Sequence, residues 1–444
     1  MGHVGNLPGA RHHADCFHAR KPDDVPWRIV CRLVWGYLCT GPADSKTGNG
    51  LSRKTKERPK STCDCVVVGG GLAGLVAACA TAKAGLDVIH LAPAAPPDHR
   101  TSALMVPSVK ILADLGLVDD PNALGEPLRK IRIIDATSRL VRAPEALFDS
   151  AEVNEQAFGW NFANAAMSTQ FSQHVEALPN LNRLEASATG LTRVESGWML
   201  ALSDGRSIKT SLVVGADGKR SFVREAAGIS INETRHKQSA LVCDLKLSFP
   251  LNGESVEFHY ENGPFTLVPA GGQRANLVWI EGVERLAEIT ALAPEAILAA
   301  IQERSQNLFG KLELETPAVV FPLSSFEADT MGKEGIVLVG ESAHAFPPIG
   351  AQGLNLSLRD VAGLVGCVNK ARLTRPDWAT GVSKAYSGVR KADVRRTNMM
   401  VGGLFKSLLS GLLPAQALRA GGVWALKKLP PLRKSAFRLG MGPG

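Results

Sequence analysis

Three stretches of the chain are apolar without interruption: Val66-Val67-Val68, Leu212-Val213-Val214 and Ile336-Val337-Leu338-Val339. Each is too short for a helix and ends directly on a glycine, so each reads as a strand buried on both faces. After the first comes an apolar helix over 72–84 and a second strand over 87–91. Strand, loop, helix and strand in that order predict a parallel α/β unit. The spacing of Leu104, Val109, Leu112 and Leu115 predicts a helix over 101–115, with Gly116 as its stop. Residues 158–164 (FGWNFAN) open another helix over 165–177, with Asn164 placed to cap it.

Elsewhere the pattern alternates. Residues 131–140 read as strand with a turn at 136–138. Residues 183–188, 198–203 and 207–210 read as short strands, and Asp204-Gly205 joins the last two as a hairpin turn. Residues 241–249, 255–260, 265–268 and 276–281 alternate between Gly-containing turns, which predicts an antiparallel sheet inserted between nucleotide-binding segments. An amphipathic helix follows over 294–308, and residues 318–321 return toward the sheet. Residues 1–62 show no sustained period and are expected to be a disordered extension, not necessarily native: a non-ATG start at Leu51 would remove most of it.

Composition adds one point to this picture. The net charge of +8 divides into +6 over residues 1–62, −9 over 63–383 and +11 over 384–444. A basic end on an acidic body argues against a nucleic-acid enzyme and for contact with an anionic lipid surface. The tail over 404–439 mixes Leu408, Leu409, Leu412, Leu413, Trp424 and Leu429 with Lys406, Arg419, Lys427, Lys428, Arg433 and Lys434, as an amphipathic helical surface does. Packing of that tail on the body or on a partner chain is the alternative. No apolar run approaches the ~18 residues needed to cross a bilayer. Cys63 and Cys65 lack metal-ligand spacing, and no metal is expected.

The candidate chemistry lies at the glycines. Gly69-Gly70-Gly71-Leu72-Ala73-Gly74 supplies G-x-G-x-x-G in its proper strand–helix setting. There Gly69 makes the tight turn, Gly71 admits a pyrophosphate and Gly74 lets the helix meet the strand. The acid that usually follows the second strand is absent, and position 92 is Ala. Gly215-Ala216-Asp217-Gly218 follows the second apolar run, where Asp217 can bind ligand hydroxyls, cap a helix, or do both. Gly340-Glu341 follows the third run and places a carboxylate at a strand's carboxyl end. Pro347-Pro348 stiffens the next turn, and a helix through Leu354, Leu356, Leu358 and Asp360 offers its N-terminus to negative charge. Arg100, after a Pro-rich turn, can reach phosphate oxygens.

In this order, with a sheet between the second and third, the motifs resemble the single-component flavoprotein monooxygenases of the aromatic-hydroxylase class. AHAFPPIGAQGLNLSLRD, Arg100-Thr101-Ser102-Ala103-Leu104 and the tail LLSGLLPAQALRAGG resemble the UbiH-type ubiquinone-biosynthesis hydroxylases within it. The resemblance implies an α/β fold with a Rossmann-like FAD-binding domain (63–130, 156–238 and 320–395). It also implies an inserted antiparallel substrate domain (131–155 and 239–319) and a basic amphipathic helical tail (396–444). It implies FAD as cofactor and NAD(P)H as co-substrate. Gly69, Gly71, Leu72, Ala73 and Gly74 would meet the ADP half, and Arg100 the pyrophosphate. Asn164 would lie near the ribityl chain, with Asp217 and Gly218 in support. Gly340 and Glu341 would bind ribityl hydroxyls, and Gly353, Leu354 and Asn355 would lie under the pyrimidine edge. Pro347 and Pro348 would shape the ring's reactive face. Ala92 and Glu341, where the family usually has Asp, depart from the pattern.

The implied reaction is ring hydroxylation of a polyprenylated phenol by O2 through a flavin hydroperoxide. The implied setting is the cytoplasmic side of a bacterial-type inner membrane, peripherally bound, among other quinone-biosynthesis enzymes. No side chain is assigned as a proton carrier, and His344 is read as structural. A flavin-dependent epoxidase or reductase of isoprenoids, and a non-catalytic flavin-binding scaffold, stay open as alternatives.

Overall fold

The computed structural model describes residues 61–371 and 373–441. The expectation of disorder over 1–62 falls outside these except at its last two positions, and Thr62 already begins a strand. The three apolar runs lie in neighbouring strands of one sheet. Thr62–Val68 is central, parallel to Val88–Leu91 on one side and to Ser207–Gly215 on the other. Ile336–Leu338 continues the sheet beyond Ser207–Gly215, and Leu181–Leu184 continues it beyond Val88–Leu91, all parallel. Helices Leu72–Lys83, Asn164–Glu176 and Gln352–Lys370 pack together on this sheet and share a core with its three apolar runs, which are all buried. The short runs expected over 207–210 and 212–214 are one strand. Its first half pairs antiparallel with Gly197–Leu202 across the Asp204-Gly205 turn, and its second half enters the parallel sheet.

Two local expectations are corrected. Residues 101–105 are a strand, Thr101–Met105, paired antiparallel with Gly159–Ala163, and the helix begins only at Val106 with Pro107 in its first turn. Gly159 makes this pairing possible, since a Cβ there would lie 2.1 Å from the Leu104 carbonyl oxygen. Residues 159–163 are therefore strand and not helix opening. Asn164 is the first residue of the helix Asn164–Glu176, whose N-cap is Ala163 without a side-chain cap.

The second sheet has nine strands. Its long member, Ile231–Leu247, pairs antiparallel with Arg274–Gly282 and with Val319–Ala328, and it runs unbroken across residue 238. Leu241, Cys243 and Leu245 face one way, against Phe258, Phe265, Leu277 and Trp279, and form a separate apolar core. The sheet is not purely antiparallel, because Lys130–Asp135 joins Glu254–Tyr260 in parallel. The helix expected over 294–308 stops at Arg304, where Gln306 and Asn307 take left-handed φ values of 54° and 56°.

The C-terminal region is three helices: Trp378–Leu409, Leu413–Lys428 and Pro430–Met441. The first starts well before 396 and buries Tyr386 and Val394 in the main core, so its first half belongs to the body. The others lie on the body as well. Arg419 pairs with Asp135 at 3.2 Å with both side chains buried, and Arg433 pairs with Glu152, while Arg139 donates at 3.0 Å to the Leu408 carbonyl at the end of the first helix. Val423 and Leu426 pack against Phe148 and Phe158. Burial works to raise the Asp135 pKa, but bonds from Thr137 and Ala143 and the Arg419 charge hold it below the usual carboxylate range. No single described helix is long and apolar enough to cross a membrane, and the first two tail helices bend by 117°.

Arg419→Ala would strip a buried carboxylate of its counter-charge, a loss worth about 3–5 kcal/mol where both partners are desolvated. Amide exchange in 413–428 should then quicken by about tenfold or more while Thr62–Val68 stays protected. Unchanged exchange in the tail would show that Arg419 does not anchor it.

Candidate functional site

The first corner is the glycine loop after the central strand. Gly69 has φ +130°, and a Cβ on it would stand 2.1 Å from the Ala216 carbonyl oxygen. A Cβ on Gly74 would stand 1.9 Å from the Gly69 carbonyl oxygen. At Gly71 a Cβ would meet nothing within 4 Å. Gly71 is also the N-cap of Leu72–Lys83 and makes no side-chain cap, so the first-turn N–H groups face an open space. His90, unremarked in the sequence, supports this loop from beneath. Its Nε2 lies 2.8 Å from the Gly69 carbonyl oxygen. Burial pushes its pKa down to about 4, so the ring is neutral and Nε2 carries the proton that it donates. Ala92 is buried next to Gly70, where the missing acid would have stood.

The second and third motifs close on the first. Gly340 has φ +64°, and a Cβ on it would come within 2.7 Å of Ser357 Oγ and 3.5 Å of Ala73 Cβ. Ser342 Oγ donates to the Gly215 carbonyl at 2.6 Å, and the buried Arg224 donates to the Ser342 carbonyl at 2.9 Å. Glu341 between them is exposed. Asp217 accepts from Ser221 Oγ at 2.5 Å and from the Val223 N–H at 3.0 Å, so it holds the start of the helix Phe222–Ala226. Gly218, at φ +81°, has open space where a side chain would be.

Arg100 and Asn164 form one cluster through a residue that sequence reasoning missed, and Glu341 acts on it through its charge alone. Asp98 takes two bonds from the Arg100 guanidinium, each 2.8 Å, and a third from Asn164 Nδ2 at 2.9 Å. Burial acts to raise the Asp98 pKa, but the Arg100 and Asn164 bonds bring it down to about 2. Ser102 Oγ donates to Asn164 Oδ1 at 2.7 Å, so the Asn164 side chain is spent on this network and not on capping. The Glu341 charge adds to that of Asp98 in keeping Arg100 protonated.

The remaining side is the N-terminus of Gln352–Lys370, entered through Ala351 at φ 53° with no side-chain cap. Gly353 is exposed with nothing near its would-be Cβ, and Leu354 is half-buried. Asn355 is buried and clamps the strand Thr101–Met105, accepting from the Met105 N–H and donating to the Ala103 carbonyl, both at 2.9 Å. Pro347 is buried and Pro348 exposed in the loop before it. His344 is buried and bonded to Asp360 at 2.7 Å, an arrangement that suits a support more than a proton carrier. A separate cavity of about 400 Å³, walled by Asn232, Thr234, Ser325, Glu327, Lys391 and Arg395 among others, shares no residue with these corners.

Two uncapped helix N-termini, three glycines with room in front of them and an exposed carboxylate suit a ligand with a diphosphate and a hydroxylated chain. A family model described as FAD binding domain matches residues 62–369. The chain belongs to this family. It is an FAD-dependent monooxygenase of the aromatic-hydroxylase fold. Ubiquinone hydroxylase UbiL of Rhodospirillum rubrum is 30% identical over 91% of this chain and 94% of its own length. The 3-demethoxyubiquinol 3-hydroxylase of Escherichia coli is 28% identical over 85% of this chain and 98% of its own. Among solved structures, p-nitrophenol 4-monooxygenase PnpA of Pseudomonas putida superposes with a TM-score of 0.72 at 19% identity, covering 85% of this chain and 97% of that one. HpxO of Klebsiella pneumoniae, solved with FAD and uric acid, reaches 0.68 at 16% identity over 86% and 98%.

The glycines predict two opposite outcomes. Gly74→Ala forces a Cβ into the Gly69 carbonyl and should prevent folding or lower the melting temperature by several degrees. Gly71→Ala meets no protein atom and should leave apo-protein melting unchanged while weakening FAD binding about tenfold or more. Equal flavin affinity in Gly71→Ala and wild type would place the diphosphate elsewhere.

Proposed function

We propose that this protein hydroxylates the aromatic ring of a polyprenylated phenol in ubiquinone biosynthesis, using NAD(P)H and O2. The observation that carries this reading is the convergence of the three glycine corners, in a chain similar almost end to end to ubiquinone hydroxylases. Bound FAD supplies the redox and oxygen chemistry. The chain's own residues bind, orient and shield. The open helix ends at Gly71 and Gly353 favour negative charge in front of them. Glu341 offers acceptors to hydroxyls. The Pro347-Pro348 turn walls one side and excludes water. Beside it, Ile349 packs with Ala240, Ile280, Leu323, Val401 and Phe405. This packed apolar cluster joins the turn, the second sheet and the long C-terminal helix, and so holds the turn against both.

The tail supports peripheral attachment at the cytoplasmic face of the inner membrane, close to other enzymes of the same pathway. Its inner face is held on the body, and its outer face leaves Leu412, Leu418 and Trp424 exposed at 71%, 78% and 54%. Lys406, Lys428 and Lys434 are exposed with them, whereas Lys427 donates to the Glu145 carbonyl of the body at 3.1 Å. Apolar side chains ringed by cations, in a segment whose only acid is Asp393, match an anionic lipid surface.

A strain lacking the gene should accumulate a prenylated ring short of one hydroxyl, and labelled O2 should appear in the product of the restored enzyme. Unlabelled product would favour a reductase. NADPH oxidation that no phenol accelerates would favour a scaffold. Separately, Leu418→Asp with Trp424→Asp should lower partition onto vesicles rich in anionic lipid about tenfold or more without loss of flavin. Equal partition of this variant and wild type would remove the tail's proposed role.

A further inference from the structure

The deepest charge in the described chain lies behind the flavin corner. Asp360 is fully buried, and its two carboxylate oxygens hold three donors from three places. Oδ2 accepts from the Gly340 N–H at 2.9 Å and from His344 Nε2 at 2.7 Å. Oδ1 accepts from Arg390 Nε at 2.8 Å. Arg390 also pairs with Asp393 at 2.7 Å, and Asp393 pairs with Arg359 at 3.0 Å. Opposite charges therefore alternate from the flavin corner into the helix Trp378–Leu409. A buried ionic chain of this sort is at best weakly stabilising against an apolar replacement. Stability alone is a poor reason for it.

We infer that Asp360 is a positioning residue that sets two walls of the flavin site at once, the Gly340–Glu341 turn and the His344–Pro348 loop. Gly340 is left-handed and has no side chain of its own to hold it. Its N–H bond to Asp360 and the packing of Ser357 and Ala73 decide where the next residue, Glu341, points. On the same oxygen, His344 fixes the strand His344–Ala345 that leads into Pro347 and Pro348, and its ring stacks on Phe346 with centroids 5.7 Å apart. No neutral isostere can hold all three donors. The amide of an Asn at 360 has one accepting oxygen. Turned to Gly340 and His344, it sets its NH2 against the Arg390 Nε–H, and turned the other way it sets the NH2 against the Gly340 N–H and His344 Nε2. The inference rests on FAD lying at this corner.

The test compares full-length Asp360→Asn and Arg390→Lys with wild type, reading FAD affinity of the apo-protein, the flavin's visible spectrum and thermal melting. Asp360→Asn should weaken FAD binding about 10- to 100-fold and shift the spectrum. Arg390→Lys keeps the carboxylate and its bond to Gly340. It should lower melting while leaving FAD affinity within about threefold. Flavin affinity that falls in step with melting in both variants would reduce Asp360 to a structural role, and wild-type affinity in Asp360→Asn would remove the role altogether. If Asp360→Asn does not fold, His344→Leu, which has no donor for Asp360, leaves the Gly340 bond in place and frees only the loop. It should keep the affinity and shift the spectrum, and an unshifted spectrum would overturn the inference. A wild-type protein that takes up no flavin would instead refute the location of the cofactor.

Discussion

The site depends on one matter of register. In the parallel sheet Val68 stands opposite Gly215 and Leu91, and Gly215 stands opposite Leu338. The strands therefore end at one level, and Gly69, Ala92, Ala216 and Val339 all leave the sheet along the same edge. Parallel strands have this consequence because the chain must return over the sheet before each new strand, so every carboxyl end faces the same side. Three motifs separated by more than a hundred residues become neighbours without a specific contact having to seek them out. Close backbone approach then decides details. Gly69 and Gly74 are packed too tightly for any side chain, while Gly71, Gly218 and Gly353 have space ahead of them. The first pair builds the loop, and the other three leave room for what it holds.

Charge is distributed by the same logic of distance from water. Exposed ion pairs such as Arg375–Asp377 and Arg285–Glu288 add little. The buried ones join separate parts of the chain. Asp360 gathers Gly340, His344 and Arg390 behind the site, and Asp135 receives Arg419 from the tail, while the more exposed Asp98 ties its neighbour Arg100 to the distant Asn164 at the mouth. The basic tail and acidic body thus meet through specific buried bonds. Once Arg419, Arg433 and Lys427 are spent in this way, the outward face keeps Lys406, Lys428, Lys434 and the large apolar residues. Docking of one face and exposure of the other are compatible, and the two readings of the tail are not rivals.

Burial also decides what the free thiols can do. Cys63 and Cys65 sit in the central strand, and burial pushes the Cys63 thiol up to about 12 and that of Cys65 well above its ordinary value. Neither is a ready metal ligand or nucleophile at neutral pH. The same burial keeps His90 neutral beneath the glycine loop. Titratable groups in this core are muted unless an opposite charge reaches them, as at Asp360.

Read by itself, the amino-acid sequence determined the elements whose cause is local. These include the apolar strands, because both faces are buried, and the glycine turns, because only glycine tolerates the φ values or contacts there. They also include the Asp204-Gly205 hairpin and the basic end. It could not decide the conformation of 101–105 or 159–163, which become strands only because Gly159 lets the two runs pair. Nor could it single out His90 or Asp360, whose partners lie 21 and 20 residues away along the chain, or the bond by which Asp98 reaches Asn164, 66 residues away. Asn164 looked like a cap because its neighbours in sequence allowed one, yet its side chain went to Asp98 and Ser102. Periodicity records how each residue divides its time between water and protein. Which residue it meets inside the protein is set by strand register and helix packing, and those exist only in the folded chain.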